Sequence, residues 1–252
     1  MILIGEKFNS SIPKTLELYK NKNEQSIINL INAQSEADFL DINTGLCQNE
    51  TEMMNYMIDL VKSNSNSKIM LDSSNSTVLL DCAKKVQGEF AINSITAKER
   101  LIELLPVIKE YNCSVIALPI EDTVPKTAKE RLENAKKIID VFDSNNMSVE
   151  KVYFDILTEP VSTNQESALV SFETLKLFKD GGLKTVCGLS NVSFGLPKRR
   201  QINAYYLSLL MGLGLDGAIC DVTDPVIVSA VKTTDMLLGN DEFCMEYVME
   251  YK

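Results

Sequence analysis

The sequence predicts one α/β domain, a single (β/α)8 TIM barrel that spans residues 1–252. Short β-rich runs alternate with amphipathic helical stretches along the chain, and this alternation implies parallel strands joined by right-handed crossovers. Eight such units fit within 252 residues, close to the usual length of an eight-fold barrel. An open doubly wound sheet is the alternative. No GxGxxG sequence follows the first strand, and this favours the barrel.

Each predicted strand is a short apolar run that ends in polar or turn-forming residues. The strand Thr185–Leu189 is the clearest example, because Ser190 and Asn191 end it and a loop with Gly195 and Pro197 follows. In chain order the strands are predicted at Ile2–Ile4, Phe39–Ile42, Lys68–Leu71, Glu89–Ile92, Ser114–Leu118, Val152–Phe154, Thr185–Leu189 and Gly217–Cys220.

Helices are predicted where apolar residues recur at a spacing of three to four with charged residues between them. Leu132, Ala135 and Phe142 belong to such a pattern. The helices are predicted at Glu24–Ser35, Glu50–Lys62, Val78–Val86, Lys98–Tyr111, Ala128–Asp143, Glu166–Lys179, Gln201–Leu213 and Asp224–Leu238. A terminal helix is predicted over Leu237–Lys252, with an apolar face suited to capping the barrel or to packing on a partner subunit.

Composition excludes several classes of function. The formal net charge of −10 repels phosphate backbones, so the sequence predicts no nucleic-acid partner. No apolar run reaches the ~18 residues of a membrane helix, and we expect no membrane association. The first residues, MILIGEKFN, lack the basic region and cleavage site of a signal peptide. A cytoplasmic location is therefore expected.

Histidine is absent, and the cysteines are scattered. Without histidine, Ser-His-Asp or Cys-His catalysis and His-ligated zinc or iron are impossible. No two of the six cysteines have CxxC spacing, so we expect neither a zinc knuckle nor a thioredoxin motif. They are interpreted as reduced thiols of a cytoplasmic protein.

Polar side chains follow or end every predicted strand. In a barrel, these positions meet at the carboxyl-terminal rim, where such enzymes bind substrates. Capping of the following helices is the alternative for each residue, although it explains all eight strands together less well. Asp72 and Asp155 are the strongest candidates because apolar residues precede them. The rim residues are Glu6, Asn9, Asp41, Asn43, Asp72, Asn93, Glu121, Asp122, Asp155, Ser190, Asn191 and Asp221.

Carboxylates and amides without histidine suit a flat ligand edge that is rich in N–H groups. Carboxylates accept hydrogen bonds, and an amide both donates and accepts them. A 2-amino-4-oxopyrimidine ring offers an exocyclic amine, a ring N–H and a ring nitrogen acceptor. A divalent metal is the competing interpretation of an acidic rim. No DxD or DxDxDG pattern supports it, so we predict no metal site.

Motifs along nearly the whole chain resemble one family. The most specific is GLSNVSFGLP at Gly188–Pro197, which is followed by Arg199 and by Ile202-Asn203. Shorter matches are IGEKFN at Ile4–Asn9, LDINTG at Leu40–Gly45, LDSSN at Leu71–Asn75, INS at Ile92–Ser94, FD at Phe154–Asp155 and DGAICD at Asp216–Asp221. The chain resembles the methyltetrahydrofolate–corrinoid protein methyltransferases. These are pterin-binding barrels related to the folate domain of cobalamin-dependent methionine synthase and, more distantly, to dihydropteroate synthase.

The resemblance implies roles for individual residues. It places pterin contacts on Asp72, Asn93 and Asp155, and the wall beside the ring on Gly188 and Ser190. Asn191 matches the asparagine that approaches N5, where the methyl group sits, and is the expected catalytic residue. Arg199 matches the loop arginine and Asp41 a supporting acidic residue. In two departures from the family, Ile156 follows Asp155 where relatives often have proline, and Ile95 occupies a polar position after Asn93-Ser94.

The resemblance also implies substrates and partners. The expected reaction moves a methyl group between N5 of tetrahydrofolate and cobalt, in either direction. A DxHxxG motif, which donates a histidine to corrinoid cobalt, cannot occur in this chain, so a separate corrinoid protein must carry the cobalamin. N5 must gain a proton or a strong hydrogen bond, since a tertiary amine is a poor leaving group. Asn191 has no ionisable group and can only orient such a network. A homodimer is also expected.

Two other functions stay open from the sequence. Dihydropteroate synthase uses the same barrel but typically carries an SRK-type basic loop and a terminal Arg-x-His, whereas this chain has Ser190-Asn191 at the loop and no histidine. A non-catalytic pterin-binding or corrinoid-protein-binding subunit is the second alternative. Turnover with a methylated corrinoid protein distinguishes these from the methyltransferase.

Overall fold

Eight parallel strands close into a barrel in the computed structural model, which describes residues 1–252. The strands follow one another in chain order around the sheet, and the first pairs with the last, from Ile2↔Gly217 to Gly5↔Cys220. The predicted fold class is confirmed, and the open-sheet alternative is excluded by this closure. The strands are β1 (Ile2–Asn9), β2 (Phe39–Asn43), β3 (Lys68–Asp72), β4 (Phe90–Thr96), β5 (Ser114–Leu118), β6 (Val152–Asp155), β7 (Lys184–Gly188) and β8 (Gly217–Cys220).

Two strands extend several residues beyond their predicted ends, whereas β2, β3 and β6 extend by one residue each. β1 continues through Glu6 to Asn9, so these two residues lie within the strand and not after it. β4 continues through Asn93 to Thr96, after a register shift between Asn93 and Ile95. β7 is shorter at its end, because Leu189–Asn191 forms one 3-10 turn.

The helices cover the outside of the barrel. The predicted helices are found with ends shifted by up to a few residues, and one two-turn helix, α1, was missed. The helices are α1 (Pro13–Lys20), α2 (Glu24–Ala33), α3 (Glu50–Asn64), α4 (Ser76–Ala83), α5 (Glu99–Tyr111), α6 (Ala128–Ser144), α7 (Ser167–Asp180), α8 (Arg199–Gly212), α9 (Pro225–Leu237) and α10 (Met245–Glu250).

The prediction of one terminal helix over Leu237–Lys252 is wrong. The backbone takes left-handed φ values at Gly239, Phe243 and Cys244, which interrupts helical geometry. Only the six residues of α10 are α-helical after this break. The apolar side chains of this segment do not cap the barrel, since Phe243 is 86% exposed and Met249 is 76% exposed.

Alternation along the strands creates two apolar layers. Outward side chains such as Leu40, Leu71 and Ile92 pack against the helices in a cluster of 53 buried residues. Inward side chains fill the barrel itself, as in TIM barrels generally. This inner layer comprises Ile4, Phe39, Met70, Ala91, Ile116 and Val186, with Ile2, Leu118, Tyr153 and Ile219 packed on it. No helix in the structure combines the length and apolar character required to cross a membrane.

Candidate functional site

A ring of side chains lies above the inner layer, at the carboxyl end of the strands. Each member is two residues beyond an inner-layer residue on its own strand, so strand alternation directs it to the same interior side. Asp72, for example, follows Met70, and Asp155 follows Tyr153. We call this set the mouth ring. Its members are Glu6, Asp41, Asp72, Asn93, Leu118, Asp155, Gly188 and Asp221.

The change from the inner layer to the mouth ring is abrupt in chemical character. Below it the barrel interior is apolar, whereas the ring itself has five carboxyl groups and one amide. A carboxylate at the edge of such a core loses water on one side, which disfavours its charged form. The ring can therefore accept hydrogen bonds from a ligand in a partly dehydrated setting.

Adjacent strands β2, β3 and β4 form one hydrogen-bonded unit of the mouth ring. Asn43, Asp72 and Asn93 are register partners across the three strands. Nδ2 of Asn43 donates to Oδ2 of Asp72 at 2.9 Å, and Nδ2 of Asn93 donates to Oδ1 of Asp41 at 3.2 Å. The nitrogen of each amide thus donates to a carboxyl group of the mouth ring, and the oxygen of the amide lies away from that bond.

Burial dominates the electrostatics of these acids. It raises the pKa of Asp72 to about 6, although the bond from Asn43 opposes the shift. Burial, and next the charge of Asp72, raise the pKa of Asp41 well above its usual range. The charge of Asp72 thus adds to burial in disfavouring the ionised form of Asp41.

Asp155 occupies a separate part of the mouth ring, at the end of β6. It is buried, and its Oδ1 accepts a hydrogen bond from the backbone N–H of Leu157 at 2.7 Å. Burial raises its pKa to about 6, while the Leu157 bond and the positive charge of Arg131 act in the opposite direction. The N–H bond ties the carboxyl group to the turn that follows the strand.

The 3-10 turn after β7 brings Ser190 and Asn191 to the rim beside β1. Oγ of Ser190 donates to Oε1 of Glu6 at 2.7 Å. Arg199 clamps the same turn, because it donates to the backbone oxygen of Ser190 at 2.7 Å and to Oγ of Ser193 at 3.0 Å. Burial, more than any neighbouring charge, raises the pKa of Glu6.

Gly188 makes room for Asn191. A Cβ atom on Gly188 would lie 3.0 Å from Nδ2 of Asn191, tighter than ordinary van der Waals contact. The Asn191 side chain therefore folds back over the last residue of β7, while the residue as a whole stays exposed at the rim. A glycine at this position follows from that close approach and not from its φ of −80°.

The remaining site residues predicted from the sequence lie either at the rim of the barrel or on its outer surface. Asp221 follows β8 directly and forms an ion pair with Lys7 at 2.5 Å. Glu121 and Asp122 lie outside the mouth ring in ion pairs with Lys137 and Lys98, and the strand before them contributes Leu118 instead. Asn9 uses its Oδ1 to accept the backbone N–H of Ser11.

Helix capping, the alternative for the rim residues, is carried out by other side chains. Asn23, Asn49, Asn75, Thr127 and Asp224 cap α2, α3, α4, α6 and α9. None of the mouth-ring acids is an N-cap residue, so their carboxyl oxygens are not committed to helix termini. This division favours ligand binding over a purely structural role for the ring.

Two arginines behind the ring were not found from the sequence. Arg100 donates to the backbone oxygens of Ser73, Ser74 and Ser94, and its charge lowers the pKa of Asp72. Arg131 is fully buried beside the turn after β6. A signal for Arg131 existed, because it interrupts the apolar stripe of α6. Arg100 had none, since it lies in a charged first turn.

The two departures from the family pattern are accommodated in the core. Ile95 and Ile156 are both fully buried and both belong to the outer apolar cluster. Ile95 lies within β4, where its predicted polar setting does not exist. Ile156 donates its backbone N–H to the oxygen of Val186, a bond that proline could not make.

The chemistry of the site is that of an acceptor-rich mouth. No group of three or more Cys, Asp or Glu side chains is arranged to hold a metal ion. A cavity of about 500 Å³ does occur, but Met1, Asp38, Lys184 and Asp216 line it at the opposite end of the barrel. The mouth ring thus remains the candidate site, suited to a flat ligand edge with several N–H donors.

Comparison with known proteins agrees with this geometry. A family model described as "Pterin binding enzyme" matches residues 22–221. The methylcorrinoid:tetrahydrofolate methyltransferase of Eubacterium limosum is 27% identical over 263 residues, which cover 100% of this chain and 96% of that protein. The methionine synthase of Mycobacterium tuberculosis is 30% identical over 182 residues, which cover 66% of this chain but only 15% of that much longer protein.

Solved structures share the fold at lower identity. A 7,8-dihydropteroate synthase from Vibrio fischeri ES114 superimposes with a TM-score of 0.70 and 15% identity, covering 94% of this chain and 93% of that one. At this identity the likeness concerns the barrel architecture alone.

Proposed function

This chain belongs to the family of pterin-binding enzymes, and we propose the reaction that it catalyses. The proposed reaction transfers a methyl group between N5 of tetrahydrofolate and the cobalt of a corrinoid on a separate protein. The observation that carries this proposal is the mouth ring, a set of carboxyl and amide groups that line the barrel mouth without a histidine or a metal cluster. Dihydropteroate synthase chemistry is less well supported, because its basic loop and terminal histidine have no counterpart here.

Similarity over the full chain supports the choice of reaction. The Eubacterium limosum methyltransferase aligns with all of this chain and with 96% of its own length. From this coverage and from the family match over residues 22–221, we propose that residues 1–252 form one pterin-binding domain with the same class of activity.

We assign the pterin edge to Asp72, Asn93 and Asp155. Asp72 and Asp155 present carboxyl oxygens for the exocyclic amine and the ring N–H. One N–H of the Asn93 amide already donates to Asp41, and we assign the amide oxygen of Asn93 to the ligand. Asp41 acts behind Asn93 as a supporting residue. The apolar inner layer below gives the flat ring a dry surface to rest on.

We propose that the turn after β7 contacts the folate near N5. Gly188 and Ser190 form the wall beside the ring, and Arg199 fixes the turn through the Ser190 oxygen. Asn191 orients hydrogen bonds at N5, where a proton must arrive when the methyl group leaves and must depart when the methyl group is received. Asn191 cannot ionise, so its contribution is orientation of that network.

The methyl group must pass to or from a second protein. Bound on its own protein, the corrinoid supplies a Co(I) nucleophile or a methyl-Co(III) donor. Asn191, Phe194 and Arg199 are exposed on the rim, so the loop after β7 can meet a docked partner. No metal held by this chain enters the proposal.

Oligomeric state and location belong to the proposal as well. We propose a homodimer because Leu237, Phe243 and Met249 leave apolar surface exposed near the chain end, more than scattered single residues require. Sedimentation at micromolar concentration that shows only the 28.1 kDa species would contradict the dimer. All six cysteines are free, in keeping with a proposed cytoplasmic location.

Methyl transfer can be assayed without knowledge of the natural partner. Purified protein is mixed with methylcob(III)alamin and tetrahydrofolate, or with cob(I)alamin and 5-methyltetrahydrofolate, and transfer is followed by corrinoid absorbance and by a labelled methyl group. The expected result is enzyme-dependent transfer in at least one direction.

Two results would overturn the proposal. One is tetrahydrofolate binding without transfer from free methylcobalamin or from any methylated corrinoid protein, which supports a binding subunit. The other is formation of a pteroate product from a pterin pyrophosphate and an aromatic amine, which supports dihydropteroate synthase.

A further inference from the structure

We infer that Arg131, which lies outside the mouth ring, is a positioning residue that fixes the carboxyl group of Asp155 for the ligand edge. The inference rests on the proposed function, because Asp155 is assigned to the pterin edge there. Arg131 belongs to α6, which follows β5, whereas Asp155 ends β6. Its action would therefore cross from one β/α unit to the next.

Burial singles out Arg131 from the other cations. Its side chain is 0% exposed and is the largest fully buried side chain in the chain. A buried charge is costly unless hydrogen bonds and an opposite charge compensate it. It occupies an inward position of α6, between the buried Ala128 and Ala135, where an apolar residue would pack at lower cost. The presence of a charged side chain at this position therefore indicates a specific role for Arg131.

The guanidinium group holds the turn after β6. One terminal nitrogen donates to the backbone oxygens of Ile156 and Leu157 at 2.6 Å and 2.9 Å. Nε donates to the oxygen of Pro125 at 3.2 Å, and the other terminal nitrogen pairs with Oε2 of Glu159 at 2.9 Å. Only the planar fork of arginine can serve this spread of acceptors at once.

The turn after β6, which Arg131 binds, also binds the carboxyl group of Asp155. The N–H of Leu157 donates to Oδ1 of Asp155 at 2.7 Å, and the C=O of Leu157 accepts a hydrogen bond from Arg131. Leu157 is buried and has a left-handed φ of 56°, a conformation that a leucine rarely adopts without such support. Arg131 therefore holds the residue that fixes Oδ1, and no donor of the chain bonds Oδ2.

Charge gives Arg131 a second effect on Asp155. The titratable groups that face Asp155 are Arg131 from α6, Cys187 from β7 and Tyr206 from α8. Arg131 is the only cation among them, and it opposes the effect of burial, which raises the pKa of Asp155 to about 6. Loss of its charge would keep this acid protonated at higher pH.

Arg100 provides an internal comparison. It binds three backbone oxygens behind Asp72 in a similar manner, but it is partly exposed, so water can replace part of its role. Water cannot reach the site of Arg131 in the same way. The turn after β6 therefore depends on its arginine more strongly than the turn after β3 does.

The test measures tetrahydrofolate affinity between pH 5 and pH 8.5 in full-length variants. Arg131→Gln should raise the pH midpoint of binding by about one unit or more and weaken binding at pH 7 by about tenfold. Arg131→Lys keeps the charge without the fork, so binding should weaken at every pH with little change of midpoint. Glu159→Gln, at a partly exposed residue, should lower the midpoint because the Arg131 charge is less neutralised.

Two controls separate positioning from a structural effect. Lys137→Gln removes an ion pair from an exposed part of the same helix and should leave both affinity and midpoint unchanged. In an Asp155→Asn background, where only Asp72 still titrates in the pterin edge, the midpoint shift caused by Arg131→Gln should disappear. A merely structural arginine would lower stability and leave the midpoint in place.

The outcomes are distinguishable. If wild-type protein does not bind tetrahydrofolate, the proposed function fails and the inference falls with it. If wild-type protein binds and every folded Arg131 and Glu159 variant keeps its affinity and midpoint, the inference alone is overturned. Should Arg131→Gln not fold, the uniform loss in Arg131→Lys and the opposite shift in Glu159→Gln decide.

Discussion

Nδ2 of Asn93 on β4 donates a hydrogen bond to Oδ1 of Asp41 on β2 at 3.2 Å, across the intervening strand β3. The bond engages one N–H of the Asn93 amide and leaves the amide oxygen free to accept a hydrogen bond from a ligand. A pterin edge offers mainly donors, which makes an oriented acceptor more useful there than a freely rotating amide.

Asp41→Ala should weaken tetrahydrofolate binding by about tenfold, because one oriented hydrogen bond is worth up to about 1.4 kcal/mol. Asp41→Asn retains an oxygen that can accept from Asn93 and should stay within a few-fold of wild type. Calorimetric titration of both variants checks this. Equal loss in the two variants would show that the charge of Asp41, and not its orientation of Asn93, matters.

Removal of a carboxyl group whose pKa is raised by desolvation should stabilise the ligand-free protein at neutral and alkaline pH. The folded pKa values of Asp72 and Asp155, about 6, lie above the unfolded value of about 3.9. Each group contributes on the order of 2–3 kcal/mol to the free energy of unfolding below about pH 4, and this contribution is lost as pH rises through 6. Asp72→Asn and Asp155→Asn should therefore unfold at higher urea concentration than wild type at pH 8.

Urea titrations at pH 5 and pH 8 test this expectation. Asp143→Asn, an exposed substitution on α6, serves as the matched control and should follow wild type. If the Asp72 and Asp155 variants show the same pH dependence as wild type, desolvation of these two carboxyl groups does not govern stability. A stabilised but inactive variant would fit the common exchange of stability for function at binding sites.

The affinity for tetrahydrofolate should rise with pH, whereas the contribution of these carboxyl groups to stability falls. An ionised carboxylate accepts hydrogen bonds from N–H groups more strongly than a protonated one. Tetrahydrofolate binding should strengthen as pH rises through about 6 and release protons between pH 5 and 7, which titration in buffers of different ionisation enthalpy detects. Asp72→Ala and Asp155→Ala should each lose ten- to hundredfold in affinity at pH 8. Unchanged dissociation constants in folded variants would remove both residues from the site.

Gly188→Ala should lower the methyl-transfer rate through Asn191. The new Cβ would lie 3.0 Å from Nδ2 of Asn191 and displace that side chain, whereas the φ of −80° is acceptable for alanine. We expect a slower single turnover with a thermal midpoint close to wild type. Gly212→Ala, with no atom within 4 Å of the added Cβ, is the control. A wild-type rate would mean that Asn191 tolerates displacement.

Asn191→Ala should affect the transition state more than the bound folate. An oriented donor that acts as charge changes at N5 commonly contributes ~10²–10³ in rate. Single-turnover transfer at saturating folate should fall by that factor, while folate affinity stays within a few-fold. Joint loss of stability and affinity with little loss of rate would instead assign Asn191 to the structure of the turn.

Local patterns along the sequence were sufficient for the barrel and for most of the mouth ring. Strand and helix periodicity gave eight units, and polar residues at strand ends marked Asp41, Asp72, Asn93 and Asp155. These features are local, since strand alternation and the parallel direction of all strands bring such residues to one end of the barrel. Glu121 and Asp122 show the limit of this rule, because they follow β5 but pair with surface lysines.

Only the tertiary structure decided which side chains contact each other and at what cost. The sequence by itself determined the chemistry available, namely acids and amides without histidine. It did not reveal that Arg131 reaches the turn after β6, that Glu6 accepts from Ser190, or that Asn191 folds over Gly188. The contacts of Arg131 and Glu6 join residues far apart in the chain, the position of Asn191 depends on the 3-10 turn after β7, and the pKa shifts depend on burial by the whole fold. Periodicity reports which face a residue occupies, but closure of the barrel decides its neighbours and its exposure to water.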